Sequence, residues 1–273
     1  MTGFGDALAA AVTARESHVV LGLDPAPARV GEDPAAVRAF CLDVLASAGP
    51  ACVAVKPQVA YFERLGAAGW DALWHVAAAA DGAGLAVIMD AKRGDIDVTA
   101  AAYADGLLRG PVSALTVNPM MGSDAVAPFV DRARADGRGV FCLVRTSNPG
   151  AADLEDLPLA DGRPWHEAVA GLVATMGEPG VGDSGLSDVG AVVGATAPQH
   201  LERLRALMPA QPFLIPGVGA QGGRPEDLGA AFSAHRAGAV VNASRSIIFA
   251  DDPRRAAEEL RDALWRVAER AAS

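Results

Sequence analysis

Short runs of apolar residues recur along the chain, and each run ends in a polar or turn residue. The runs are almost continuously apolar rather than alternating, which is typical of parallel strands covered by helices. Eight such runs predict eight strands, at His18–Asp24, Cys52–Lys56, Leu85–Lys92, Ala114–Asn118, Gly139–Thr146, Val189–Thr196, Phe213–Val218 and Ala239–Arg245.

Stretches rich in Ala and Leu separate these strands. They predict helices at Pro34–Ala48, Tyr61–Asp81, Asp97–Arg109, Asp124–Asp136, Trp165–Met176, Gln199–Met208, Arg224–Arg236 and Asp252–Ala271. Strand and helix alternating eight times in about 250 residues is typical of a TIM barrel. We therefore predict an α/β protein with a (β/α)8 barrel, formed by residues 1–273 as a single domain. An additional loop at Asn148–Pro164 and a Gly-rich turn at Gly177–Gly185 lengthen one crossover.

The composition limits the classes of function. Of the 273 residues, 51% are apolar and 21% are charged, which favours a folded protein with a sizeable core. Asp and Glu outnumber Lys and Arg by 33 to 23, giving a formal net charge of −10, so nonspecific binding to nucleic acid is disfavoured. An anionic small substrate is still allowed, because a few local cations outweigh a distant acidic surface.

The three cysteines, Cys41, Cys52 and Cys142, are odd in number and lack CxxC spacing. This pattern is typical of a reduced, cytoplasmic protein and does not provide a zinc site. The first six residues lack the features of a signal peptide, and no apolar run approaches 18 residues, so we predict no membrane span. The five histidines are scattered without the spacing of a metal site or a catalytic triad, and we expect structural roles for them.

The most distinctive polar segment is Asp90-Ala-Lys92-Arg-Gly-Asp95-Ile-Asp97, at the end of the third predicted strand. Unpaired buried charges are costly, and residues i and i+2 of a strand share a face, so Asp90 and Lys92 should emerge together. We expect Asp95 and Asp97 in the loop just beyond, and Lys56 ends the second predicted strand. Because active sites of TIM barrels lie at the C-terminal ends of the strands, these charges predict a catalytic site.

Other strand ends are also polar: Asp24 follows the first strand, Ser147 the fifth and Gln221 the seventh, while Arg245 ends the eighth. The loops after strands seven and eight commonly form a phosphate site in this fold. Gly-rich backbone N–H groups can bind such an anion, and Arg245 would add a charge-assisted hydrogen bond.

Within the loop after strand seven, the segment Gly217-Val-Gly219-Ala-Gln-Gly222 matches the GxGxxG pattern of dinucleotide-binding proteins. A second match, Gly180-Val-Gly182-Asp-Ser-Gly185, shows that the pattern arises by chance in this Gly-rich chain. The dinucleotide motif also requires an acidic residue after the next strand, where this chain has Ala239-Val-Val-Asn. We therefore favour phosphate binding over dinucleotide binding.

Together these motifs resemble orotidine 5′-phosphate decarboxylase, particularly its bacterial branch with KPQ and KRGDI motifs. The DxKxxD core is shared with related sugar-phosphate decarboxylases, whereas its combination with Gly-Ala-Gln-Gly and a terminal Arg-Ser is highly specific. The matching motifs cover nearly the whole chain in the family's order and are Leu21-Gly-Leu-Asp24-Pro, Lys56-Pro-Gln58, Asp90-Ala-Lys92-Arg-Gly-Asp95-Ile, Thr146-Ser147-Asn-Pro-Gly150, Pro216-Gly-Val-Gly-Ala-Gln221-Gly-Gly223 and Ser244-Arg245-Ser246.

The resemblance implies decarboxylation of orotidine 5′-monophosphate to UMP and CO2, the final step of de novo pyrimidine nucleotide synthesis, without cofactor or metal. It implies an alternating charge network formed by Lys56, Asp90, Lys92 and Asp95. Lys92 would protonate a carbanion at C6 of the ring. The resemblance also implies a homodimer in which Asp95 and Thr99 enter the site of the neighbouring subunit.

The resemblance further implies the residues that bind substrate. Asp24 would bind the ribose hydroxyls, and Ser147 and Gln221 the pyrimidine. Gln221 would also contact the phosphate, together with Gly222 and Arg245.

The chain departs from the family pattern at two positions. Ser244 stands where a Gly often precedes the Arg, and Asp97 stands where small residues are more usual. Two other functions stay open. A metal-dependent sugar-phosphate decarboxylase or aldolase uses a similar DxKxxD with magnesium, but extra acidic ligands usually mark it, where this chain has Ala91. A catalytically silent nucleotide-binding barrel is disfavoured because binding alone does not require four buried charges.

Overall fold

The computed structural model describes residues 3–271, and its eight strands close into one parallel barrel in sequence order. The barrel closes where Val19, Val20 and Leu21 pair with residues 241–243. The predicted TIM barrel and all eight predicted strands are confirmed. The strands are β1 Val19–Leu23, β2 Ala54–Pro57, β3 Ala86–Arg93, β4 Ala114–Val117, β5 Gly139–Arg145, β6 Val189–Val193, β7 Phe213–Pro216 and β8 Ala239–Ala243.

Helices surround the barrel and bury the outer faces of its strands. Within residues 3–271 they are α1 Phe4–Arg15, α2 Pro27–Val30, α3 Pro34–Ala48, α4 Val59–Glu63, α5 Gly66–Gly82, α6 Asp97–Leu107, α7 Ser123–Ala135, α8 Trp165–Gly177, α9 Leu201–Leu207, α10 Gly229–Phe232, α11 Arg245–Ile248 and α12 Pro253–Ala271. None of them is both long and apolar enough to cross a membrane. The predicted single domain, 1–273, includes residues 1–2 and 272–273, which lie outside the described residues.

Three predicted elements were partly wrong. The helix predicted from Tyr61 to Asp81 is two helices, because α4 ends at Glu63 and the chain turns before α5 begins at Gly66, whose φ of +66° breaks a continuous helix. The helix predicted over 224–236 is only a 3-10 turn followed by α10, since the chain then turns to enter β8. The predicted eighth strand ends before Arg245, which instead begins α11, because the N–H of Ile247 donates to the carbonyl of Ser244.

Helix α1 was not predicted, and it closes the amino-terminal end of the barrel. Its buried residues Phe4, Leu8 and Val12 belong to the same cluster as the interior residues of the barrel. The ring of Phe4 meets that of Phe141 edge to face, with 5.8 Å between centroids. This contact, distant in the sequence, explains why local spacing did not reveal the helix.

The barrel interior is apolar at its middle and becomes polar toward the carboxyl ends of the strands. Ala54, Ile88, Ala114 and Val240 lie in the buried interior cluster. Side chains two residues further along a strand point the same way. Lys56, Asp90, Thr116 and Asn242 therefore enter the barrel just above this apolar layer, and all four are buried.

Candidate active site

A cavity of about 320 Å³ opens at the carboxyl ends of the strands. Its β1–β4 side is mostly polar, whereas Leu143, Val192 and Leu214 make the opposite side apolar. The cavity is lined by Asp24, Lys56, Gln58, Asp90, Lys92, Thr116, Leu143, Thr146, Ser147, Asn148, Val192, Leu214, Pro216, Gln221 and Asn242.

Asp90 is the centre of the polar side. The ammonium of Lys56 lies 2.5 Å from Oδ2 of Asp90, and that of Lys92 lies 2.5 Å from Oδ1. Two neutral donors complete its shell, because Gln58 Nε2 donates to Oδ2 and Thr116 Oγ1 donates to Oδ1, each at 3.0 Å. The side chain of Lys56 is only 5% exposed, whereas that of Lys92 is 44% exposed and reaches the cavity.

The network holds its charges through mutual electrostatic stabilisation. Burial alone raises the pKa of Asp90, but the charges and hydrogen bonds of Lys56 and Lys92 outweigh burial and hold that pKa well below its usual range. Burial alone lowers the pKa of Lys56, but the carboxylates of Asp90 and Asp24 outweigh it and raise the pKa. At neutral pH Asp90 is therefore an anion and Lys56 a cation.

The backbone of β3 is irregular at Lys92. Its pairing with β4 shifts register between Met89 and Arg93, and Lys92 has φ +46°. A left-handed conformation costs a non-glycine residue about 1–2 kcal/mol. Asp90 and Lys92 meet as predicted, but through this bulge rather than through the regular i, i+2 spacing of a strand. The N–H of Lys92 donates to Thr116 Oγ1 at 2.9 Å.

Two buried acceptors face the cavity without a hydrogen-bond partner among residues 3–271. They are Oδ1 of Asp24 and Oδ1 of Asn242. Buried polar atoms are normally hydrogen-bonded, so unpartnered ones at a cavity indicate a place for ligand or water donors. Asp24 was predicted as a binding residue, whereas Asn242 was not.

The loop after β7 contains three glycines in the left-handed region, Gly217 at φ +102°, Gly219 at φ +76° and Gly222 at φ +93°. The N–H of Gly222 donates to the carbonyl of Gly219 at 2.9 Å, so this predicted phosphate donor is engaged within its own loop. Gln221, at the tip of the loop, lines the cavity as predicted.

Arg245 lies beside this loop rather than in the cavity. It is exposed at the start of α11, and its side chain makes no hydrogen bond or ion pair with residues 3–271. The following residue, Ser246, approaches the loop, since a Cβ placed on Gly219 would lie 3.1 Å from Ser246 Oγ. A cation without a partner thus stands near a glycine-rich loop.

The predicted residues Asp95 and Thr99 also lie outside the cavity of their own chain. The carboxylate of Asp95 accepts a hydrogen bond from the N–H of Ile96 at 2.8 Å, and Thr99 is exposed in the first turn of α6. Neither residue lines the cavity, whereas Lys56, Asp90 and Lys92 do.

A model of the orotidine 5′-phosphate decarboxylase / HUMPS family matches residues 17–260. The chain belongs to this family. An orotidine 5′-phosphate decarboxylase from Deinococcus radiodurans is 45% identical over 271 residues, covering 96% of each chain. One from Rhodopirellula baltica is 40% identical over 294 residues, covering all of this chain and 97% of the relative. The solved structure of Leishmania donovani OMP decarboxylase has a TM-score of 0.82 and 37% identity, and the match covers 98% of this chain and 99% of that one. The predicted family is confirmed.

Sequence reasoning missed two polar residues of this family member's cavity, Thr116 and Asn242, and quoted Gln58 only as part of a motif. Each of the three is buried or half-buried and lines the cavity. Their spacing in the sequence could have identified them, because side chains two residues apart on a strand point the same way. Thr116 and Asn242 each lie two residues after an interior residue of the same strand, and Gln58 lies two residues after Lys56.

One group outside the cavity has the composition of a metal site. Potential ligand atoms of Asp156, His166 and His200 lie within 4.8 Å of one another, although no metal spacing was predicted for the histidines. Both oxygens of Asp156 already accept hydrogen bonds from Arg145, at 2.8 and 2.9 Å, and these bonds hold the pKa of Asp156 below its usual value. The Nδ1 atom of His166 lies 2.8 Å from the carbonyl of Glu155. We interpret the group as a structural network of ion pairs and hydrogen bonds rather than a metal site.

Proposed function

We propose that this chain decarboxylates orotidine 5′-monophosphate to UMP and CO2, completing de novo pyrimidine nucleotide synthesis. The observation on which the proposal rests is the Lys56–Asp90–Lys92 network at the mouth of the barrel, in a chain of this family. The buried free cysteines favour a reducing compartment, so we place the enzyme in the cytoplasm.

The chemical problem is a carbanion. When the C6–carboxylate bond breaks, CO2 leaves and the electron pair stays on C6, in an orbital that the ring cannot delocalise. Lys92 is the proposed source of both electrostatic stabilisation and the proton, which passes from Nζ to C6; water then reprotonates the amine. Two unit charges about 4 Å apart interact by about 4 kcal/mol at an effective dielectric of 20, equivalent to about three powers of ten in rate.

The neighbours of Lys92 support this role. Oδ1 of Asp90 lies 2.5 Å from the Lys92 ammonium, and Lys56 balances the second oxygen of Asp90. These charges are fixed before substrate binds, so the protein does not have to reorganise during the reaction. Leu143 and Val192 on the opposite side of the cavity would exclude water and strengthen the interaction.

The proposed phosphate site is the region of the glycine loop, Gln221, Gly222 and Arg245. Arg245 is unpaired within residues 3–271 and exposed, which suits capture of a free anion. Binding energy from this distant phosphate can be used at the reacting carbon if loops close over the substrate. Since the Gly222 N–H is bound within its loop, its use for phosphate requires such a loop change.

The pyrimidine and ribose are proposed to lie between this region and the charge network. Asp24, with its unpartnered Oδ1, would accept hydrogen bonds from ribose hydroxyls. Ser147 would bind the pyrimidine together with Gln221. Ser147 is held near β6, because its carbonyl accepts a hydrogen bond from Thr196 at 3.0 Å.

A homodimer would complete the site with Asp95 and Thr99 from the neighbouring subunit. Apolar side chains near these residues are exposed in the single chain, namely Ile96 at 56%, Val98 at 75%, Tyr103 at 39%, Met120 at 66% and Met121 at 47%. Contiguous exposed apolar surface commonly marks an interface. Its continuity with Asp95 and Thr99 supports their action across a twofold dimer.

The test is the loss of orotate absorbance when the purified protein meets orotidine 5′-monophosphate, with and without EDTA. Rapid conversion to UMP and CO2 that EDTA does not change is the expected result. Conversion that requires magnesium, or activity only on sugar phosphates, would favour the metal-dependent alternative. Binding of UMP by a folded protein without conversion would favour the silent barrel.

A further inference from the structure

Thr116 connects the two ends of the bulge in β3. Its side chain, on β4, donates to Asp90 Oδ1 at 3.0 Å and accepts from the N–H of Lys92 at 2.9 Å. The residue is 1% exposed. One hydroxyl therefore binds both the carboxylate that faces Lys92 and the backbone from which the Lys92 side chain extends.

We propose that Thr116 is a positioning residue that fixes Lys92 relative to Asp90. This inference rests on the proposed function of Lys92 as the proton donor. Lys92 stands in a left-handed conformation where β3 loses its regular pairing with β4, so backbone pairing alone does not define its direction. The Thr116 hydroxyl replaces the missing strand contact and at the same time orients the carboxylate.

The hydroxyl matters because the donors to Asp90 from the β2 side bind only its other oxygen and not the backbone of Lys92. Lys56 and Gln58 both extend from the β2 side and bind Oδ2. Thr116 binds Oδ1, the same oxygen that contacts the Lys92 ammonium. Without it, Asp90 keeps its negative charge and its partners at Oδ2, but Oδ1 loses a fixed donor and the N–H of Lys92 loses its acceptor, so the ammonium loses its fixed distance from C6. A small misplacement of a reacting group can lower the rate about 100-fold.

The experiment compares Thr116→Val, which removes the hydroxyl at nearly constant shape, with Thr116→Ser, which keeps it. Thr13→Val is the matched control, because the Thr13 hydroxyl donates only to Ala9 within α1 and is exposed. We measure kcat and KM for orotidine 5′-monophosphate, and the affinities for UMP and for a UMP analogue with an anionic oxygen at C6. Thermal unfolding establishes that each variant is folded.

We expect Thr116→Val to lower kcat about 10–100-fold and to weaken the C6-oxyanion analogue by a similar factor, with UMP affinity within about threefold of the parent. Thr116→Ser and Thr13→Val should stay near the parent. The proposal is overturned if Thr116→Val keeps its kcat, if it weakens UMP and the analogue alike, or if Thr116→Ser is equally impaired. Failure of the proposed function would appear separately, as an inactive parent protein.

Discussion

The barrel contains a buried charge at each end, and the two are held in opposite ways. At the amino-terminal end, Arg205 is 2% exposed, and within residues 3–271 it donates hydrogen bonds only to backbone carbonyls. These are the carbonyls of Ala231, Met208, Gln211 and Gly238, at 2.7–3.1 Å. At the carboxyl end, Asp90 is held by two ammonium groups, and one of them, on Lys92, is 44% exposed toward the cavity.

The difference separates stability from catalysis. Burial lowers the pKa of Arg205 to about 9, so it is still a cation at neutral pH, and its field is enclosed by protein dipoles. The charges around Asp90 instead border a cavity, where they can interact with a bound ligand. We therefore expect changes at the carboxyl end to lower activity in folded protein, and changes at the amino-terminal end to lower stability with activity preserved in the folded fraction.

The largest expected effect comes from removing the proposed proton donor. Lys92→Ala should lower kcat about 10⁴-fold or more, because it loses both the general acid and the charge beside the carbanion. The Asp95→Asn homodimer should also be nearly inactive. Steady-state assays with orotidine 5′-monophosphate measure both, while circular dichroism establishes that the variants are folded.

Mixing these two variants tests the shared site. After re-equilibration, half of the dimers are mixed and each contains one intact site, so about a quarter of parental activity should return if subunits pair at random. Lys92→Ala mixed with Lys56→Ala is the control, because both lesions lie in the cavity of their own chain and no intact site can form. If the first mixture stays inactive while mass spectrometry detects heterodimers, Asp95 does not act across the interface.

The opposite end of the barrel is tested by Arg205→Met. The variant removes the Arg205 donor from four carbonyls, of which that of Gly238 still accepts from the N–H of Phe213. We expect the free energy of unfolding to fall by about 3 kcal/mol or more, with Tm lower by about 6–12 °C. Arg203→Met, on the same helix but exposed and ion-paired with Glu167, should leave the free energy of unfolding close to that of the parent. A loss of kcat in folded Arg205→Met would contradict the separation of the two ends.

Within the carboxyl end, Arg245 should affect binding more than chemistry at saturation. Arg245→Ala is expected to lower kcat/KM about 100-fold, by the loss of charged hydrogen bonds to phosphate. Activity on orotidine, which lacks the phosphate, should not change. Arg254→Ala, another exposed arginine of the same region of sequence, is the control. An unchanged kcat/KM for Arg245→Ala would exclude it as the phosphate ligand.

The smallest expected effect is a pH dependence of stability from His18, at the start of β1. Burial between Phe232 and Trp265 lowers the pKa of His18 to about 4, against an ordinary value of 6.5. Between pH 4 and pH 6.5 the unfolded chain binds more protons at His18 than the folded chain does. The contribution of neutral His18 to the free energy of unfolding is therefore complete above pH 6.5 and is lost as the pH falls toward 4.

At pH 5 the expected loss is about 2 kcal/mol. Denaturant unfolding between pH 4 and pH 7 should show that the free energy of unfolding depends less steeply on pH for His18→Gln than for the parent. His75→Gln, at an exposed position, should keep the parental slope. Equal slopes for His18→Gln and the parent would show that His18 is already protonated in the folded state.

Much of this architecture follows from local sequence. The eight apolar runs predicted the strands because complete burial between layers requires continuous apolar segments. The helix from Pro34 to Ala48 was predicted to the residue, because Pro34 and the Asp33 side chain mark its start. Where the prediction was wrong, as at Gly66 and at Arg245, one residue's backbone conformation or one turn hydrogen bond decided the boundary, and apolar spacing does not report either.

The sequence alone determined the family, the barrel and the presence of Lys56, Asp90 and Lys92 at strand ends, because these depend on residue type and on order along the chain. Only the tertiary structure decided that Lys92 reaches Asp90 through a left-handed bulge, that Thr116 joins the two, and that Arg205 is satisfied by four carbonyls. These features arise between strands and helices that meet only when the barrel closes. Their geometry depends on register and side-chain direction, which a linear pattern does not contain.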